Sequence, residues 1–258
     1  MRENASLESG FVFPERTIVR EAADQARWLW AAGVDPAVWD GIAEPTLWGN
    51  DGFRGMKLVR QQPNGYVHVE QRMQVAEHAA LGEEIRFRGV TESVEPVRKG
   101  RLVTQRFEVV RASGAVAVAM THVGLLPDPA AMAERGGSGD ARGEPEPLEA
   151  WAEQAMTPER VTTFSREVGN LIHFDPAFAR GLGFRAPLAQ GLQTMTWMVG
   201  ALGPAVPLSV RCRFRRPVFW DDAMTLLGRR GGDGRPAYLE TRNRDGKATA
   251  QLSVQSGR

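Results

Sequence analysis

The feature that most constrains this chain is a segment that cannot belong to a core. From Asp128 to Glu149 it reads DPAAMAERGGSGDARGEPEPLE, rich in glycine, proline and charge and without apolar periodicity. Such a segment buries too little surface to offset the entropy of ordering it, so it reads as a linker over 128–149. It splits the 258 residues into units of 1–127 and 150–258, each the size of a small domain. Both units run helical signals first and strands afterwards, so the pattern predicts a structural repeat with little sequence identity.

In the second unit Thr157-Pro158 is a helix cap followed by proline at the first helical position, and Val161, Phe164 and Val168 recur at helical spacing. Leu188, Leu192, Met195, Val199 and Leu202 form a longer one-faced stripe, predicting a helix from Leu188 that stops at Gly203-Pro204. Strands follow: Leu208, Val210, Cys212 and Phe214 alternate with polar residues, and Ala248 to Val254 does so after the hairpin dipeptide Asp245-Gly246. In the first unit Val67 to Val75, Val103 to Val109 and Val116 to Met120 alternate, with a second hairpin signal at Ser113-Gly114. Strands with one face to cover, and a helix able to cover it, predict an α+β fold: two tandem antiparallel sheets, each wrapped on a central helix, whose edges can pair and so remove exposed edge strands.

Composition excludes several classes. Lys and Arg number 32 against 31 Asp and Glu, so neither nucleic acid nor an anionic membrane is an expected partner. One cysteine, Cys212, rules out an internal disulfide. With no apolar run of membrane-spanning length, and no basic-then-apolar layout over Met1–Gly10, a soluble cytoplasmic protein is expected. Neither a metal nor a cofactor is expected.

The stretch FSREVGNLIHFDPAFARGLGFRAPLAQGLQTM, Phe164 to Met195, carries the chemistry. Asn170, His173, Asp175, Ala179, Gly183-Phe184, Pro187 and Gly191 fall in the register of the MaoC-like, or (R)-specific enoyl-CoA hydratase, branch of the hotdog superfamily. The sequence resembles that family, and residues 66–127 more loosely resemble the first half of its double-hotdog members. The resemblance implies a double hotdog fold and a hydratase or dehydratase acting on 2-enoyl or 3-hydroxyacyl thioesters of coenzyme A or an acyl carrier protein. It gives His173 the acid/base role and the Gly191 amide the thioester oxygen. Asn170 completes the implied catalytic set, and a homodimer is compatible with it. Gln190, Pro187, Arg213 and Arg215 are the expected substrate-binding residues, the arginines because a phosphate-rich arm would be attracted to a basic strand face.

Two positions depart from the family pattern. The aspartate five residues before the histidine is Val168 here, which can neither accept a proton nor orient water. The histidine before the glycine is Gln190, which hydrogen-bonds but does not titrate. The first unit has no asparagine–x–x–histidine segment; Ala43 to Leu47 resembles only the loop before a central helix, so this unit is expected to shape the pocket.

Plainer roles compete at several positions. Asn170 and Asp175 are good caps, Gly191 suits close helix packing, Trp28, Trp30, Trp39 and Trp48 suit the core, and His68, His78 and His122 are expected at the surface or lining a pocket. Two other functions remain open on these residues. One is a thioesterase using Glu167 or Asp175 to activate water; the other is a non-catalytic subunit that binds acyl thioesters or completes a complex.

Overall fold

The computed structural model describes residues 5–59, 66–128 and 147–255. Ten antiparallel strands carry the architecture. The first unit supplies β1 (Val12–Val19), β2 (Val67–Val75), β3 (Glu84–Val97), β4 (Gly100–Val110) and β5 (Val116–Pro127). The second supplies β6 (Glu149–Ala155), β7 (Leu208–Phe214), β8 (Ala223–Arg230), β9 (Pro236–Asn243) and β10 (Ala248–Val254). Gly114 and Gly246, at φ +89° and +71°, turn the β4–β5 and β9–β10 hairpins in a region open to glycine without strain.

The order is β1-β3-β4-β5-β2-β7-β10-β9-β8-β6. The two sheets expected from the sequence are therefore one sheet, joined where β2 pairs β7 with Glu70 opposite Arg213, Gln71 opposite Cys212 and Met73 opposite Val210. The reason is that β2 and β7 each end a five-strand set, and pairing satisfies two rows of backbone groups that would otherwise lie open. Of the expected linker, residues 129–146 lie outside the described residues. Its last residue, Glu149, is already the first of β6.

Five helices lie in the described chain: α1 (Ala22–Ala32), α2 (Trp48–Leu58), α3 (Pro158–Ser165), α4 (Pro176–Gly181) and α5 (Gly191–Leu202). Thr157 caps α3 by accepting from the Arg160 amide at 3.2 Å, and the helix ends at Ser165, leaving Val168 in the turn beyond it. The long helix starts three residues later than the apolar stripe suggests. Leu188 is extended and bridges Phe219, so the first residue of the stripe is not helical.

α2 and α5 are the central helices and touch each other. A Cβ on Gly49 would stand 2.7 Å from Leu192 Cδ1, and one on Gly52 would stand 3.0 Å from the Phe107 ring, so glycine lets α2 approach both α5 and the sheet. The Thr46 and Thr196 hydroxyls bond at 2.6 Å across the same contact. One apolar core results, with Trp48, Phe107, Leu192, Met195 and Leu252 from both units. Burying each such side chain is worth about 1.5–3 kcal/mol. Trp28, Trp39 and Trp48 are in this core as expected, but Trp30 is 47% exposed, because it sits on the solvent side of α1.

Candidate active site

Capping places the site. Gly169 takes φ +75° after α3, and Asn170 then accepts from the Ile172 amide at 3.3 Å, starting a 3-10 turn over Leu171–His173. Asp175 caps α4, accepting from the Ala177 and Phe178 amides at 2.8 and 3.0 Å. The capping roles of both residues are thus seen directly. The Leu188 amide donates to the Ile172 carbonyl at 3.1 Å, drawing the turn against the segment that leads into α5.

The His173 ring Nδ1 lies 2.8 Å from the Leu188 carbonyl oxygen. A carbonyl only accepts, so Nδ1 carries the proton and Nε2 keeps a lone pair. Burial lowers the pKa of this imidazole to about 4, against the partial support of the Leu188 bond. It is a neutral base at physiological pH.

Gly191 is the first residue of α5, after Gln190 at φ −67° and ψ 140°. An N–H in the first turn has no partner within the helix and sits at the positive end of its dipole. A Cβ at residue 191 would be 3.1 Å from the Phe214 ring, so close packing also favours glycine here.

These groups share one cavity of about 470 Å³. From the second unit Val168, Asn170, His173, Gln190, Gly191 and Arg215 line it. Phe53, Met56, Tyr66, His68 and Leu125 line it from the first. Gln190 is buried, and its Oε1 has no hydrogen-bond partner among the described residues. Arg215 reaches the cavity while its Nε donates to Gln251 at 2.8 Å.

Two expected substrate-binding residues do not line the cavity. Pro187 uses its carbonyl to accept from Trp220 at 3.0 Å, and Arg213 is held by Glu70 at 3.2 Å across the β2–β7 seam. The seam explains both arginines nearest to it, since Arg211 also pairs Glu70, at 2.7 Å. No aspartate or glutamate is among the described residues lining the cavity. Glu167 is turned to the surface by Arg27 at 2.7 Å and by Arg54, and Val168, 5% exposed, faces the cavity instead.

Of the first unit's polar wall, sequence reasoning placed His68 among the surface or pocket-lining residues but missed Tyr66. His68 lines the cavity, as does Tyr66, whereas His122 is 1% exposed behind His68 rather than at the surface or the cavity wall. The irregularity in β2 between His68 and Glu70 resets the alternation, which hides these positions from a period-two reading. Thr194, Lys99 and Arg216 also line the cavity. Among the described residues no group of three or more His, Cys, Asp or Glu is placed to hold a metal ion. Cys212 is buried and its thiol is pushed up by burial and by Glu70, which removes it as a nucleophile. No described helix is long and apolar enough to cross a membrane.

Residues 144–243 match the family model of the MaoC-like domain. HtdX from Mycobacterium tuberculosis superposes with a TM-score of 0.76 at 22% identity, over 94% of this chain and 98% of that one. A second Mycobacterium tuberculosis protein, described as having a double hotdog fold, gives 0.59 at 14% identity over 96% and 95%. The peroxisomal multifunctional enzyme type 2 of Drosophila melanogaster gives 0.69 at 17% identity over 95% of this chain but 48% of that longer one. No curated protein matches the sequence. The chain is thus built on the hotdog fold along nearly its whole length, and the segment that contains His173 and Gly191 is similar to the MaoC-like domain.

Proposed function

We propose that this protein is a hydratase or dehydratase of 2-enoyl and 3-hydroxyacyl thioesters, carried by coenzyme A or an acyl carrier protein, in which His173 is the acid/base group. The observation that carries the reading is the fixed tautomer of His173. With Nδ1 held by Leu188, a basic Nε2 remains on a ring that shares the cavity with the Gly191 amide.

In the hydration direction Nε2 takes a proton from water as the water oxygen bonds to C3 of the enoyl group. The π electrons move to the thioester oxygen, where the Gly191 N–H and the α5 dipole stabilise the enolate. The imidazolium then returns its proton to C2, and the enolate collapses to the thioester. Water is added and nothing is left over. Dehydration is the same path reversed. One imidazole serves both proton transfers, which fits a cavity with no carboxylate among its described lining residues. The cost is a weak base, because no neighbouring anion supports the imidazolium. Arg215 and Lys99, which both line the cavity, are suited to the phosphates of the carrier arm.

The thioesterase alternative needs a carboxylate to activate water, and it is not favoured: Glu167 is engaged by Arg27 and Arg54, and Asp175 by the start of α4. The test is loss of enoyl ultraviolet absorbance with enoyl-CoA substrates of several chain lengths, read beside free thiol release. Wild-type hydration should exceed that of His173→Ala by about 10²–10⁴. Equal rates for the two proteins, or thiol release without hydration, would end the proposal.

A further inference from the structure

A second cavity, of about 160 Å³, lies in the first unit between α2 and strands β1, β3 and β4. Gly55 and Leu58 of α2 line it, whereas Phe53 and Met56 of the same helix line the candidate active site, so the two cavities meet different faces of one helix. Its wall is apolar, with the rings of Phe13, Phe87 and Phe107, except for a single charged side chain, Arg16.

The sequence of β1 puts that charge there. Phe13 pairs Gly89 and Arg16 pairs Phe87, so three residues of β1 span two of β3. In a regular strand residues 13 and 16 would face opposite sides; the irregularity after Phe13 turns both to the cavity. The guanidinium carbon stands 5.2 Å from the Phe87 ring centroid, and a Cβ on Gly55 would be 3.3 Å from Arg16 Nη2. Both neighbours line the cavity, which fixes the guanidinium at its wall.

Arg16 is also the cation left over from an ion-pair cluster. Arg20 and Arg54 share the Asp51 carboxylate, at 2.5 and 3.0 Å. Arg54 and Arg27 share Glu167, and Arg27 also pairs Asp24. Four arginines thus meet three carboxylates. The side chain of Arg16 bonds only the Asp51 backbone carbonyl, through Nη2, and pairs no carboxylate among the described residues. Burial lowers its pKa, opposed by Asp51 and assisted by Arg54. A half-buried guanidinium without an anion is poorly solvated, and its planar fork matches a carboxylate.

We propose that this cavity is a second binding site, for a small carboxylic acid with a ring-sized apolar body, its carboxylate on Arg16. The volume sets the size, since a dry apolar cavity of about 150 Å³ accepts benzene. The aromatic wall takes the body, and the one unpaired cation takes the charge.

Benzoate, cyclohexanecarboxylate and phenylacetate would be titrated against the full chain by ligand-observed NMR. Benzamide keeps the ring without the charge, and acetate keeps the charge without the ring. At least one ring acid should bind about tenfold more tightly than either control. Arg16→Gln should remove that preference and Arg16→Lys should keep part of it, while Arg215→Gln, in the other cavity, should leave it unchanged. If Arg16→Gln does not fold, Leu58→Trp decides, because bulk at this exposed rim position should weaken binding of the acid. The proposal is overturned if no ring acid binds better than the controls, or if the preference survives Arg16→Gln or, in its place, Leu58→Trp. Loss of the preference in Arg215→Gln alone also overturns it, by locating the acid in the other cavity. None of these readouts uses enoyl turnover, so the hydratase reading stands or falls separately.

Discussion

The segments that lead into the two central helices are held by the same backbone bonds. In the first unit Leu81 N donates to Gly41 O at 3.0 Å, Ala43 N to Ala79 O at 2.8 Å, and Ile42 bridges Ala80. In the second Trp220 N donates to Pro187 O at 3.0 Å, Ala189 N to Val218 O at 2.8 Å, and Leu188 bridges Phe219. Aligned on these bonds, Glu44 matches Gln190 and Pro45 matches Gly191. Proline has no N–H, so the first unit lacks the donor that would receive a thioester oxygen. The 3-10 turn capped by Asp35 ends on Trp39 in the core, whereas the one capped by Asn170 ends on His173 in the cavity. The carbonyl that corresponds to Leu188 is that of Ile42, and Gln25 of α1 fills it with an amide at 2.9 Å. The backbone scaffold is the same in both units, while a histidine facing the cavity and a free first-turn amide occur at these matched positions only in the second. Under the proposed function, a repeat can keep its fold and differ in chemistry through a few side chains.

Substitutions that make the second unit resemble the first put this comparison at risk. The largest effect is expected for His173→Gln. Glutamine can hold the Leu188 carbonyl as Gln25 holds Ile42, so thermal stability should stay within about 1 kcal/mol while kcat falls about 10²–10⁴. Loss of stability with retained rate would show that His173 is structural.

Gly191→Pro comes next. Gln190 already has the extended backbone that precedes proline, and proline is tolerated at the first helical position. Removing the N–H should lower kcat/KM by about 10²–10³. Gly191→Ala keeps the N–H and adds the same Cβ against Phe214, so it isolates the packing cost. Similar rates for the two variants would refute the oxyanion role.

The pH profile sharpens the role of His173. Its neutral form is the base, so hydration should be flat above about pH 5 and fall as pH drops through about 4. Val168→Asp would put a carboxylate on the cavity wall and should move that limb upward by about one unit or more, because an anion favours the imidazolium.

The smaller effects concern the first unit. Gln25→Ala leaves the Ile42 carbonyl and the Glu44 amide, now bonded at 2.9 and 2.8 Å, without side-chain partners. It should cost about 2–3 kcal/mol in denaturant melts, with little direct effect on chemistry. Glu44 is fully buried, and its pKa is raised from 4.5 to about 7 chiefly by burial, against bonds from Thr46 and Leu47. The folded state therefore holds a proton that the unfolded chain releases, so this contribution is intact below about pH 4.5 and disappears as pH climbs through about 7. Glu44→Gln should be neutral at pH 5 and stabilise by on the order of 1–2 kcal/mol at pH 8.

Much of the second unit was legible because its signals are local. Thr157-Pro158, Asp175-Pro176, the stripe ending at Gly203 and the alternation of Leu208 to Phe214 each report a cap or a period. His173 and Gly191 came from the resemblance, and both line one cavity. α2 was hidden because WGNDGFRGMKL carries three glycines, which oppose helix propensity and make sense only against Leu192, Phe107 and Arg16. Tyr66 was hidden by the irregular register of β2, and although edge pairing between the units was expected, which strands form the seam was not, because pairing across units leaves no local trace. The substitution at Val168 was visible, but not the arginines from α1 and α2 that hold Glu167 outward.

The β2–β7 seam has a consequence for how the molecule comes apart. Because ladder hydrogen bonds and one apolar core cross from unit to unit, heat should melt both in a single cooperative step. A chain cut between them would display β7 with its backbone groups open, a template for self-association. The first unit therefore acts as a covalently attached partner that shields the second from joining copies of itself.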